Sequence, residues 1–332
     1  MEYNNLCNSI SKIRVLHFKR KYSAKQKKIV DKGTITIKKI NRRKFLAYSA
    51  RLTILALLGF GFYERTDLHI EYLHLSFPNL PDSFDGYRIC HISDLHSSFW
   101  VKPEYLLEVV NKINELNCNS VVITGDIITG AVNSFWKRWM PVSKNDYIAN
   151  VIDVLSHLKT ENKLAVLGNH DQWAGKETEL RLVNELQHIG ITVLRNHSVK
   201  LTRSNASIYF IGTDDLWSSS YDFAKAIQNV PVDEFKILLS HNPDVRRDIR
   251  TDMKVDLTLC GHTHGGQVRI PFLSNFLIPI DNPATYLAGL VKERYGYTYV
   301  NRGIGTLVFP FRIGSSPEIT CLTLKKSSTQ RE

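Results

Sequence analysis

Tyr87-Arg-Ile-Cys-His-Ile92 is a short, largely apolar run that stops on Ser93-Asp94-Leu95-His96. The run reads as a strand, and the group behind it sets a carboxylate and an imidazole at the strand's carboxyl end. The same grammar recurs four times. Residues 120–124 lead into Gly125-Asp126, and residues 164–167 into Gly168-Asn169-His170-Asp171. Residues 235–239 lead into Ser240-His241-Asn242, and residues 257–260 into Gly261-His262-Thr263-His264-Gly265-Gly266. Sites in open α/β sheets collect at the carboxyl ends of strands, so the repetition predicts one site assembled from five strand ends.

Working outward, residues 104–116, 147–158 and 177–189 read as amphipathic helices, with a short one at 223–228. Residues 191–194, 199–201, 207–211, 297–300 and 319–324 read as further strands. Strands alternate with helices early and then stand mostly alone. That order predicts an α/β fold of two packed mixed β-sheets flanked by helices. There is no internal repeat and no low-complexity linker.

The residue types at the strand ends suit a pair of divalent ions. Two such ions a few ångströms apart repel, and a bridging carboxylate offsets the repulsion. Asp-x-His and His-x-His place two donors on one side of an extended turn. Glycines at 125, 168, 261, 265 and 266 permit sharp turns there. Carboxylate, imidazole and amide oxygen without thiolate suit Mn²⁺, Fe or Zn²⁺ better than Cu(I). Alone, Asp126 or Asn169 is an ordinary turn residue and His241 a core histidine; the signal is the five groups in order. His91, His157, His188 and His197 belong to no motif and read as structural.

The order D-x-H, G-D, G-N-H, H, G-H-x-H, spread over roughly residues 84–325, resembles the calcineurin-like metallophosphoesterase superfamily. The resemblance implies a four-layer sandwich and a dinuclear hydrolase. Carried over by position, Asp94, His96 and His264 hold one ion, Asn169, His241 and His262 hold the other, and Asp126 bridges them. Mn²⁺ is the expected metal, with Fe or Zn²⁺ as alternatives. His170 polarises a phosphoryl oxygen or protonates the leaving group, while hydroxide attacks phosphorus in line. The family often has an acid and then an arginine after Gly-Asp. Here Asp126 is followed by Ile-Ile-Thr129-Gly130, which argues against the phosphoprotein phosphatase branch. Gly265-Gly266-Gln267 and Asn301-Arg302-Gly303-Ile304-Gly305 resemble bacterial membrane-linked members instead.

Of the net charge of +11, residues 1–51 carry a balance of +13, with 15 Lys or Arg against Glu2 and Asp31. The remaining residues balance at −2, so no basic face for nucleic acid is expected on the domain. Residues 1–44 read as a basic arm, 45–63 as an apolar segment and 64–332 as the hydrolase domain. Arg51 interrupts the apolar segment, and the 12 charge-free residues 52–63 reach only ~18 Å as a helix, against a ~30 Å hydrocarbon core. With Arg51 snorkelling, all 19 residues just span. Three readings compete: a membrane anchor with the arm on the anionic cytoplasmic leaflet, an export signal, and a buried core helix. Asn41-Arg42-Arg43-Lys44-Phe45-Leu46 resembles a twin-arginine signal. The five cysteines are widely spaced, and Cys90, Cys118 and Cys260 lie in or beside apolar runs. No disulfide framework is expected, and a reducing compartment is favoured.

Two apolar insertions stand beside the motifs: Phe135-Trp136-Lys137-Arg138-Trp139-Met140, and residues 270–279. Trp with Lys and Arg suits a membrane interface or an acyl-chain groove. With the anchor, they point to a lipid-linked phosphate ester on the membrane surface. The chain here resembles the membrane-anchored UDP-2,3-diacylglucosamine pyrophosphatases of lipid A synthesis, which release UMP and 2,3-diacylglucosamine 1-phosphate. That resemblance implies the inner membrane, with the catalytic domain on its cytoplasmic side. The alternatives are an exported envelope phosphodiesterase of broad specificity, a nuclease or protein phosphatase on the same fold, and a metal-free scaffold.

Overall fold

The structure, a computed structural model, describes residues 41–130, 146–269 and 278–327. The arm at 1–40, the insertion at 135–140 and residues 270–277 of the second insertion lie outside the described residues. By compactness the chain divides into residues 1–54 and 55–332.

Parallel strands covered on both faces must be apolar on both faces, and the runs before the motifs meet that condition. They form β2 (Arg88–Ile92), β3 (Ser120–Thr124), β4 (Asn162–Val166), β8 (Phe235–Leu239) and β9 (Leu257–Cys260). Between them lie α2 (Pro103–Glu115), α3 (Tyr147–Ser156), α4 (Asn169–Trp173), α5 (Lys176–His188) and α6 (Phe223–Ile227). The remaining strands are β1 (His69–Phe77), β5 (Thr192–Val193), β6 (His197–Arg203), β7 (Ala206–Gly212), β10 (Gly289–Lys292), β11 (Tyr297–Val300) and β12 (Glu318–Lys326). They pair into two six-stranded sheets, in the orders β1-β12-β2-β3-β4-β5 and β10-β11-β9-β8-β7-β6. Both sheets are mixed: β2, β3, β4 and β5 run parallel while β12 is antiparallel to β2. In the second sheet β7, β8, β9 and β11 run parallel, and β6 and β10 close its edges antiparallel.

Side-chain alternation sorts each strand between layers. Ile89, Val122, Leu164, Val166, Ile237, Leu239, Leu257 and Leu259 face the core between the sheets. Cys90, Ile92, Val121, Ile123 and Ala165 face α2, α3 and α5, where Leu106, Val110, Val151, Leu155, Leu182 and Leu186 receive them. Leu238, Cys260 and Val300 face a third cluster with Phe223 and Val245. Truncating Ile237 or Leu259, both fully buried, should cost about 2–5 kcal/mol. The layers of helix, sheet, sheet and helix are those expected.

Three features differ from expectation. β1 is an edge strand with its outward residues exposed and with His69, Glu71, His74 and Ser76 interspersed along it, and it is not among the expected strands. β10 is likewise a half-exposed edge. Asn169 opens a short helix rather than a plain turn, with the Asp171 carboxylate accepting the Gly168 N–H at 2.9 Å.

The apolar segment is helical from Arg42 to Glu64, named α1 here, and is long and apolar enough to cross a membrane. It runs through the expected boundaries at 44/45 and 63/64. Within the catalytic unit Leu55, Leu57, Leu58, Phe60, Phe62 and Tyr63 are 43–67 % exposed, which excludes the buried-core-helix reading for this half. Gly61 and Glu64 are buried against the hydrolase fold.

Candidate metal centre

The five strand ends converge, and the backbone there is unusual. Asp94, His96, Asp126, His262 and His264 have φ between +46° and +73°, a region non-glycine residues seldom occupy, which costs about 1–3 kcal/mol each. Ladder-like hydrogen bonds over-determine the turns: Asp94 N–H donates to Gly125 O (3.0 Å), and His96 N–H to Asp126 O (2.9 Å). Crowding adds to this. A Cβ on Gly261 would collide with Ser93 Oγ and the Asp94 carboxylate, and one on Gly303 (φ +72°) would lie 2.6 Å from Asp94 Cβ.

Six of the seven expected ligands are linked by short donor distances, and Asn169 lines the same cavity. His96 Nε2 lies 3.0 Å from His264 Nε2 and 3.4 Å from Asp126 Oδ2. His264 Nε2 is 3.4 Å from Asp94 Oδ1. On the other side His241 Nε2 is 3.2 Å from both Asp126 Oδ2 and His262 Nδ1. Adjacent donors around a six-coordinate ion with bonds of roughly 2.1 Å sit roughly 3.0 Å apart, so these spacings fit divalent cations. Asp126 Oδ2 stands within reach of both groups. The Asp94, His96, His264 cluster and the Asp94, Asp126, His241 cluster are each compact enough to hold an ion. Asp94 Oδ1 and Asn169 Oδ1 are buried without a hydrogen-bond partner. Orphaned polar atoms at one spot call for a ligand.

Electrostatics agree with a cation site. Burial pushes His96 and His262 down to about 3, keeping both rings neutral and able to ligate. Burial also raises Asp94 to about 6. For His241 burial opposes charge, but the carboxylates led by Asp126 outweigh it and hold its pKa well above the ordinary value. His241 therefore retains a proton at neutral pH and Asp94 gains one below about 6, and a cation would displace both.

Surrounding contacts orient the donors. His241 Nδ1 faces Thr124 O at 2.7 Å, which directs its Nε2 inward. Asp171 accepts the N–H groups of Gly168 and Ile128, joining two motif turns. His170 N–H donates to Asp126 Oδ1 at 2.9 Å. The His170 ring packs edge-on against His96 and Trp173, and burial lowers its pKa. Of the histidines read as structural, His91 is buried beside Thr124 Oγ1 at 2.8 Å, behind the site.

Over this floor opens a cavity of about 450 Å³, lined by Asp126, Asn169, His170, His262 and His264 below and by Trp173, Trp217, Leu307, Val308 and Phe309 above, with Ile278 and Pro279 at its edge. Trp173 and Trp217 stack with centroids 5.9 Å apart, and Trp217 sits edge-on to His262 at 4.6 Å. The sequence reading missed both tryptophans. Trp173 had a signal, standing three residues after His170 on one helix face; Trp217 had none beyond following β7.

Comparison with known proteins places the chain. The calcineurin-like phosphoesterase model matches residues 87–266. An uncharacterized metallophosphoesterase of Bacillus subtilis, YkuE, is 33 % identical over 301 residues, covering 88 % of this chain and all of that one. The phosphodiesterase YaeI of Escherichia coli is 30 % identical over 288 residues, covering 86 % of this chain and 99 % of that one. A transmembrane protein with a metallophosphoesterase domain from Danio rerio is 29 % identical over 75 % of this chain and 55 % of its own. The chain belongs to the calcineurin-like phosphoesterase family and is a metal-dependent phosphoester hydrolase.

Proposed function

We propose that the protein is a membrane-associated dinuclear hydrolase whose substrate is a phosphodiester or pyrophosphate with an apolar organic part. The specific candidate is UDP-2,3-diacylglucosamine, cleaved to UMP and 2,3-diacylglucosamine 1-phosphate. Asp94, His96 and His264 hold one divalent ion, Asn169, His241 and His262 hold the other, and Asp126 serves both. Mn²⁺ is the ion we assign. The observation that carries the substrate class is the cavity: a charged floor under a wall of tryptophan and apolar side chains. The wall continues toward α1, because Phe311 and Ile313 pack on Gly61 while Leu307, Val308 and Phe309 line the cavity. Apolar surface of this kind beside an exposed apolar helix favours a substrate held in a bilayer.

Two divalent ions supply Lewis acidity to a phosphoryl oxygen and to the attacking water. The chain's own part is position and proton handling. His170, neutral near pH 7, has an unpartnered Nδ1 and stands at the cavity floor. It donates a hydrogen bond to the phosphoryl or leaving oxygen. Trp173 and Trp217 exclude water from one side and orient the organic group.

A second reading is an exported envelope phosphodiesterase: the name of the Escherichia coli relative favours phosphodiester cleavage, and the Arg42-Arg43 pair before the apolar segment favours export. One assay separates them. The purified full chain with Mn²⁺ is given UDP-2,3-diacylglucosamine and a soluble diester, bis(p-nitrophenyl) phosphate, side by side. Selective turnover of the acylated compound supports the first reading, and equal or better turnover of the soluble diester supports the second.

A further inference from the structure

We infer that Arg312 and Glu64 are positioning residues of the metal centre, through which the last turn of α1 fixes the loops carrying Asp94 and His264. The inference rests on the assignment of those two residues to one ion.

Arg312 is completely buried and among the described residues forms no ion pair. Burying a guanidinium is costly unless its donors are satisfied. Here they go to backbone carbonyls. Nε donates to Gly305 O (3.1 Å), Nη1 to Arg302 O (2.9 Å) and Ser315 O (2.9 Å), and Nη2 to Gly303 O (3.1 Å). The loop so gripped lies beneath Asp94. Ile304 N–H donates to Ser93 O at 2.9 Å, and Gly305 N–H to Asp94 O at 2.7 Å. The other gripped residue, Ser315, donates its Oγ to His264 O at 2.7 Å. One side chain therefore ties the loop under Asp94 to the turn behind His264. A planar guanidinium reaches several carbonyls in fixed directions, which a lysine ammonium does not.

The opposite side of the same segment is held by α1. Arg312 N–H donates to Gly61 O at 2.9 Å. The buried Glu64 carboxylate accepts from Gly314 N–H (3.0 Å), Ser315 N–H (3.0 Å) and Ser316 Oγ (3.1 Å). The apolar helix thus ends inside the hydrolase fold, and Ser315 links its last residue to the backbone of a metal-ligating loop. Removing 1–63, a cut that the sequence organisation invites, deletes Gly61 and frees Glu64 from its helix.

The test uses the full chain in detergent. Metal-free protein is titrated with Mn²⁺ alone and followed by electron paramagnetic resonance, with melting of the metal-free form recorded alongside. The variants are His264→Ala, Arg312→Lys and Glu64→Gln. His264→Ala should lose one of two ions. Arg312→Lys and Glu64→Gln should keep both, weakening one by about 10- to 100-fold, the usual cost of losing a group that orients a ligand. The other ion and the metal-free melting temperature should stay close to the parent's. Glu64→Gln is isosteric and carries the test if Arg312→Lys fails to fold. Loss of an ion in His264→Ala with parent-like affinities in both other variants overturns the inference. Equal weakening of both ions also overturns it, since that reports a general loosening. Two ions retained in His264→Ala defeats the ligand assignment itself, and the inference with it.

Discussion

The floor and the wall of the cavity are built in opposite ways. The floor gathers donors from strand ends of both sheets, fully packed, with five of the expected ligand residues held in left-handed backbone by their hydrogen bonds and by neighbouring glycines. The wall comes from a short helix, from the loop after β7 and from the 307–309 segment, and Trp173, Trp217 and Phe309 remain 40–47 % exposed. Charge chemistry needs donors fixed to a fraction of an ångström, which only over-determined backbone supplies. Recognition of an apolar group needs area without such precision. Floor and wall should therefore fail separately under mutation.

Asp126→Ala strikes the floor hardest. It removes the carboxylate within reach of both donor groups, and should abolish nearly all turnover while leaving the melting temperature of the metal-free protein near the parent's. Metal content by elemental analysis should fall; a variant with full metal and full rate would erase the distinction between floor and wall. His170→Gln comes next. Turnover should drop by about 10²–10⁴-fold, the usual worth of a positioned proton-transfer group, with metal stoichiometry unchanged. If metal is lost and the re-metallated variant turns over normally, His170 belongs to the ion sites rather than to the reaction.

The wall should show the converse. Trp173→Ala and Trp217→Ala each remove a large apolar face, worth about 1.5–3 kcal/mol when covered, so kcat/KM on an acylated substrate should fall about tenfold or more. Turnover of a small soluble diester should barely move; a parallel loss on both substrates would tie the wall to the chemistry. The smallest effect, over the first pH unit below neutral, is proton competition at Asp94. Asp94, raised to about 6 by burial, binds a proton as pH falls through that value, so a cation must displace it. Mn²⁺ affinity on the Asp94 side should therefore fall only about twofold from pH 7 to pH 6, and then about tenfold per unit. On the other side His241, held protonated by its carboxylates, should impose the steeper loss already at neutral pH. Calorimetry in buffers of different ionisation enthalpy measures both.

The floor was legible in the sequence because its logic is local: an apolar run, then a donor at the strand's end. The inner strands were legible for the same reason, since burial on both faces leaves no ambiguity of period, as in Val121-Val122-Ile123. β1 was not, because an edge strand with an exposed face carries residues such as Glu71 and Tyr72 whose places are set by distant partners, β12 along the backbone and Arg302 for the Glu71 carboxylate. Arg312 gave no signal at all. A lone arginine between Phe311 and Ile313 reads as surface, and its burial follows from carbonyls contributed by residues 302–305 and 315. Trp217 likewise acquires its place only when the fold brings the loop after β7 beside Trp173 and His262.

The most direct measurement is metal stoichiometry against rate. Chelator-stripped protein is titrated with Mn²⁺ while hydrolysis of a soluble phosphodiester is followed in the same samples. Two ions per chain with activity that rises to its maximum only as the second binds is the result the converging donor groups around Asp126 predict. Full activity at one equivalent, or in the presence of chelator, would contradict it.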